Sequence, residues 1–150
     1  MQRSIVKPIV LATLLCGTLD ILLAIILTVS RGKDVGNMLR FVGSGPFPSA
    51  TDMGSAGAVL GLAVHFGLMA IMVAVFVVSA RAIPRLLDNP WVSGLLYGLI
   101  TYGVLDLIVV PLRFPAAWPP STLSIATQLF AHIALVGWPT AFITRKYLRG

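Results

Sequence analysis

The chain has 150 residues, of which 57% are hydrophobic and 11% charged, with a mean hydropathy of +0.94. A soluble domain carries about 25% charged residues, so this composition excludes a soluble globular enzyme, a disordered tail and a secreted disulfide scaffold. The formal charge is +6, but no Lys or Arg interrupts 8–30, 53–80, 86–112 or 114–144. Cationic flanks around apolar stretches are the layout of a membrane protein, not of a basic groove for nucleic acid. Cys16 is the only cysteine, which excludes an intrachain disulfide and any paired-cysteine zinc or redox module.

The first span covers 8–29, and its 22 residues match the length of about 20 that crosses the hydrocarbon core. Pro8 suits the first turn, where its missing N–H is not needed. The stretch is too long for a signal peptide and no A-x-A cleavage pattern follows it, so a mature helix is expected. The segment 31–51 is polar and glycine-rich. Within it Val35, Met38, Leu39 and Val42 fall at helical spacing. This predicts a short amphipathic helix at 34–43, lying in the interface, with Asp34 as its cap and Arg40 on its less apolar side. Gly43-Ser44-Gly45-Pro46-Phe47-Pro48 ends it.

The second span is expected at 53–80, with Asp52 as its N-cap. Arg81 and Arg85 follow, and Pro84 with Asp88-Asn89-Pro90 makes the next turn. Asn89 as cap and Pro90 as first helical residue open a third span at 91–112, with Trp91 as an interfacial anchor. Arg113-Phe114-Pro115 ends it. Arg113 is expected to snorkel to the outer headgroups, the alternative being a pair with Asp106. Trp118-Pro119-Pro120-Ser121 forms a tight loop, in which Phe114 and Trp118 act as anchors. The fourth span covers 122–144, with a kink near Pro139, and Arg145, Lys146 and Arg149 close the chain. The fold expected is an all-α, integral membrane four-helix bundle, a single domain over 1–150. The short connection makes the second and third spans antiparallel neighbours.

Four spans place both termini on one side. Arg3, Lys7, Arg81, Arg85, Arg145, Lys146 and Arg149 lie there, seven in all, against four on the other side: Arg31, Lys33, Arg40 and Arg113. The excess predicts cytoplasmic termini in a bacterial inner membrane.

Each span carries one central ionisable residue: Asp20, His65, Asp106 and His132. Counting from the span ends at 1.5 Å per residue puts all four roughly 10–15 Å below the outer surface. The helical faces agree with a shared interior. Thr13, Gly17, Asp20, Ala24 and Thr28 share one stripe, and Gly57, Gly61 and His65 another. Gly94, Gly98, Tyr102 and Asp106 share a third, and Ser124, Gln128 and His132 a fourth. Gly57-x-x-x-Gly61 and Gly94-x-x-x-Gly98 read as close-packing positions.

A charged Asp at the centre of a span costs about 2.5–3.5 kcal/mol on insertion scales. A protonated Asp, an Asp–His⁺ pair or a bound cation each relieve that cost. The polar-layer candidates are therefore Asp20, His65, Tyr102, Asp106, Gln128 and His132, with Thr101 in the same network. Three chemistries remain open. One is a proton or cation pathway, for which a chain this small would form homo-oligomers. Another is a zinc or other metal site drawn from His65, His132, Asp20 and Asp106. The third is bis-histidine haem ligation by His65 and His132. The bland alternative is hydrogen-bonded glue that fixes helix pairing in a structural or assembly subunit. Absence of any cofactor is the simplest expectation. No P-loop, HExxH, G-x-S-x-G or dinucleotide fingerprint is present, and the chain contains no glutamate. The reading leans away from an enzyme, and the bilayer is the one certain partner.

Some of these residues resemble a family. His65, Pro84 nineteen positions later, Gly94-Leu95-Leu96-Tyr97-Gly98, Pro111-Leu112 and Gln128-Leu129-Phe130-Ala131-His132 before a basic end look like the YagU-like group of small bacterial inner-membrane proteins. The resemblance covers about 57–149. Asp106 departs from it, since the resemblance implies His there. It further implies membrane location and a link to acid stress, and it supplies no reaction and no catalytic residues.

Overall fold

The computed structural model describes residues 4–149. Among them the secondary structure is entirely helical, in five helices: α1 (Val6–Ser30), α2 (Val35–Gly43), α3 (Gly54–Ala82), α4 (Pro90–Arg113) and α5 (Thr122–Arg149). All except the short α2 are long and apolar enough to cross a membrane. The chain is thus an all-α four-helix bundle of multi-pass type. Leu22, Ile26, Val59, Ile71, Val75, Leu96, Ile100 and Ile108 stand exposed on its outer faces. So much apolar side chain on the outside is a surface for lipid, not for water. Arg3, one of the basic residues counted for orientation, lies outside the described residues.

Local chemistry explains most boundaries. Asp34 caps α2, its carboxylate accepting from the Asn37 N–H at 2.7 Å. Asn89 caps α4, accepting from the N–H groups of Trp91 (3.1 Å) and Val92 (3.3 Å), with Pro90 first in the helix. Ser121 caps α5 through the Ser124 N–H. Asp52, expected to cap the second span, does not. It closes a 3-10 turn, Pro48–Asp52, and α3 begins without a side-chain cap, behind Met53 and through Gly54 at φ +56°. The turn takes up the residue that a capping geometry needed.

The short helix also differs from a segment lying alone in the interface. It packs against the first turns of α3. A Cβ at Gly61 would run into the Leu39 carbonyl, and one at Gly57 into the Ala50 carbonyl. These two glycines therefore admit α2 and the turn after it, not another span. Gly94 and Gly98 do serve span packing. A Cβ on Gly94 would stand 2.9 Å from the Gly137 carbonyl oxygen, and one on Gly98 2.6 Å from that of His132.

α4 and α5 are not regular throughout. α4 is α-helical over Pro90–Val104, π-helical over Leu105–Val109 and α-helical again over Val110–Arg113. α5 has a π segment at Ala131–Gly137, between Thr122–Phe130 and Trp138–Arg149. Pro111 and Pro139 follow these segments closely. A proline lacks the N–H that would bond four residues back and its ring crowds that carbonyl, so a wider turn before it relieves both problems. The kink expected near Pro139 takes this form.

The apolar core fills the half of the bundle nearest the termini. Ala12, Cys16, Met69, Val73, Val77 and Val136 form one cluster there, and Phe76, Ala80, Leu87 and Ala141 a second. Tyr97 ties α4 to α3 in this region by donating to the Met72 carbonyl at 2.5 Å. The other half of the bundle holds Asp20, His65, Asp106 and His132, while Thr140 and Thr144 are buried polar residues of the half nearest the termini.

Candidate functional site

The four intramembrane ionisable groups resolve into two pairs. Asp106 and His132 meet between α4 and α5, His132 Nε2 lying 3.1 Å from Asp106 Oδ2. Both residues sit in π segments. Segments of this kind are rare and concentrate at functional sites. The second pair joins α1 and α3, with His65 Nδ1 3.8 Å from Asp20 Oδ2. That is within ion-pair range but beyond hydrogen-bond length.

Hydrogen bonding fixes the protons on both rings. The Thr101 hydroxyl donates to the Gly98 carbonyl at 3.0 Å. Its oxygen is left to accept from His132 Nδ1, 2.9 Å away. Nδ1 therefore carries a hydrogen. In neutral His132 the other nitrogen, Nε2, is then a bare acceptor facing the Asp106 carboxylate. Two acceptors cannot share a 3.1 Å contact without a hydrogen between them. A hydrogen between Nε2 and Oδ2 makes this contact a hydrogen bond across the α4–α5 boundary. A histidine this close to Asp106 offsets the cost of placing a carboxylate in a span. His65 is pinned similarly. Its Nε2 lies 2.9 Å from the Gly17 carbonyl, which can only accept, so Nε2 bears the hydrogen and Nδ1 points towards Asp20.

Tyr102 meets the His132 ring edge-on, centroids 6.0 Å apart, and is buried. Gln128 does not join either pair directly. It lines a cavity of about 260 Å³ together with Asp20, His65, Thr28, Ser124, Thr127 and Arg31. Met38 and Val42 of α2 also line this cavity, at the end of the bundle away from the termini. Asp20 and His65 are its deepest ionisable groups, and no hydrogen bond reaches the Asp20 carboxylate among the described residues. Asp20 lies within electrostatic reach of His65, His132 and Asp106, so the two pairs are near enough for the charge of one to be felt by the other.

Arg113 neither snorkels nor pairs with Asp106. Its Nε and Nη2 donate to the Gly45 and Ser44 carbonyls at 2.7 and 2.8 Å. The carbonyls left open at the C-terminal end of α2 provide that partner. The cavity hydroxyls of Thr28, Ser124 and Thr127 were not candidates from sequence. The stripes of Thr28 and Ser124 were legible and Thr127 lay in none, but the groove between α1, α2 and α5 depends on how α2 folds back.

The layer does not assemble a metal centre. Among the described residues no group of three His, Cys, Asp or Glu side chains stands close enough to hold an ion. Haem ligation does not fit the donor set either. His132 has both ring nitrogens engaged, by Thr101 and Asp106, and His65 Nε2 is engaged by Gly17. No family model, curated protein or solved structure matches this chain.

Proposed function

We propose that this is a non-enzymatic bacterial inner-membrane protein, with cytoplasmic termini, that takes up and passes on protons through its Asp/His layer. The observation that carries the reading is the His132–Asp106 contact at 3.1 Å beside a Thr101 that fixes the ring hydrogen. An imidazole and a carboxyl in hydrogen-bond contact can pass a proton from one to the other, and this is the step the reading assigns to the pair. The cavity supplies the approach. Its polar lining brings water-borne protons to Asp20 and His65, and the shared electrostatic field couples their charge to the second pair. Association of several copies and kinship with the YagU-like group, whose link is to acid stress, belong to the same reading.

The test is proton flux into liposomes containing the purified chain and a trapped pH dye. Asp106→Asn keeps a hydrogen-bonding group opposite His132 Nε2 but cannot take up or release a proton. Flux should fall to that of protein-free vesicles while helicity and melting stay close to those of the parent. Undiminished flux in Asp106→Asn and in His65→Ala would instead favour an assembly subunit whose polar layer serves only helix pairing.

A further inference from the structure

A second charged site lies at the opposite end of the bundle. Phe142, Arg145, Lys146 and Arg149, on the last turns of α5, line a groove of about 580 Å³. The guanidinium groups are held in place. Arg145 donates to the Asp88 carbonyl at 3.1 Å, and Arg149 to the Pro84 carbonyl at 2.7 Å and the Asp88 carboxylate at 2.6 Å. Lys146 Nζ lies 5.9 Å from the centre of the Tyr147 ring, which Lys7 approaches from α1 at 5.1 Å. Three cations thus line the groove, and among the described residues the carboxylate that meets them is that of Asp88. The N-terminal end of α4, two residues after Asp88, and the C-terminal end of α5 bring helix dipoles of opposite sign, so the positive field rests on the side chains.

The apolar side of the groove is equally defined. Phe142 packs on Trp91 at 4.9 Å between centroids, and Trp91 on Trp138 at 5.2 Å, whose indole N–H donates to the Trp91 carbonyl. Trp91, Val92, Leu95, Leu96 and Leu99 continue as an exposed apolar strip along α4. A cationic head region, an aromatic collar and an apolar strip in series match a phosphate, its glycerol backbone and its acyl chain. A soluble anion would use only the first of these.

We propose that this groove binds the phosphodiester headgroup of an anionic phospholipid, with Arg145, Lys146 and Arg149 on the phosphate, Trp91 and Phe142 beside the glycerol backbone and the α4 strip along the acyl chains. Basic recesses between membrane helices are suited to such headgroups. The site shares no residue with the Asp/His layer.

The full chain in mild detergent, carrying Trp118→Phe, leaves Trp91 and Trp138 as reporters of the groove. It is titrated with brominated phosphatidylglycerol and, separately, brominated phosphatidylcholine. The anionic lipid should quench at lower concentration, by about fivefold per cation engaged, the size of one charge contact at a membrane surface. Arg145→Gln with Lys146→Gln should cut the preference to about the fivefold that Arg149 alone supplies, while sparing the Arg149–Asp88 pair. Lys146→Gln alone, which removes no hydrogen bond to α4, should lose about fivefold even if the double variant fails to fold. Equal quenching by both lipids in the parent, or an unchanged preference in Lys146→Gln, overturns the proposal. So does loss of the preference on adding excess inorganic phosphate, which would make this a site for free anions.

Discussion

Gly98 lies directly against the π segment that carries His132. A Cβ there would stand 2.6 Å from the His132 carbonyl oxygen and 2.7 Å from Ile133 Cα. Both are backbone atoms, so relief requires α4 and α5 to move apart, and the His132–Asp106 contact spans that boundary. Gly98→Ala should therefore destabilise the protein by about 1–3 kcal/mol, the usual range for overpacking. Gly103→Ala is the control, because nothing lies within 4 Å of its Cβ position, and removing a helical glycine is favourable by roughly 0.5–1 kcal/mol. Thermal melts of the two variants in one detergent test this, and equal melting points would mean that the close approach at Gly98 is slack. At this scale the sequence was informative where the chemistry is local. Asp34 and Asn89 were legible as caps because a cap bonds N–H groups two or three residues on. Asp52 was misread because its role depended on the turn before it. Arg113 was misread because its partners are some 68 residues away in the chain.

Among the elements, the π segments were the least legible feature, although a signal existed. Asp106 and His132 each precede a proline within two turns, and those prolines forbid a regular ladder in the turn before them. The pattern predicts a distortion but not its type, since a kink and a π turn both satisfy it. α2 shows the complementary limit. Its apolar spacing was sufficient to place it, but an amphipathic stripe does not say whether it faces lipid or another helix. The two glycines at the start of α3 decide that, and Arg113 holds the result from α4. Hydrogen bonds from a charged donor are worth about 1.5–3 kcal/mol each. Arg113→Gln should accordingly loosen α2 while leaving the four spans folded. Hydrogen exchange would show it: the amides of 38–45 should exchange faster in the variant, with those of α3 below His65 unchanged. Because Met38 and Val42 line the cavity, the same change should widen access to Asp20 and His65. Unaltered protection across α2 would show that packing on Gly57 and Gly61 suffices without the arginine.

For the whole molecule, hydropathy and basic flanks were enough to count and bound the spans. They did not pair them, because any apolar face can meet either lipid or a neighbour: the short connection put the second and third spans side by side, whereas among the spans α3 packs chiefly on α1 and α4 on α5. The bundle divides along its axis into a close-packed end near the termini and a polar, partly open end. Seven basic residues against four support the proposed orientation with the close-packed end towards the cytoplasm, which would give the cavity access to the periplasm. The orientation can be read with an impermeant maleimide on intact spheroplasts. Cys16 is first replaced by Ala, a modest change since its thiol makes only weak contacts with Val136 and Thr140. A single cysteine is then placed at Lys33, in the exposed link between α1 and α2, or at Ser4, exposed at the start of the described chain. Lys33→Cys should label at once and Ser4→Cys only after lysis. The reverse pattern would turn the cavity towards the cytoplasm, and proton uptake would then have to load from inside. The sidedness of the liposome flux would have to follow the same orientation, so the two measurements check one another.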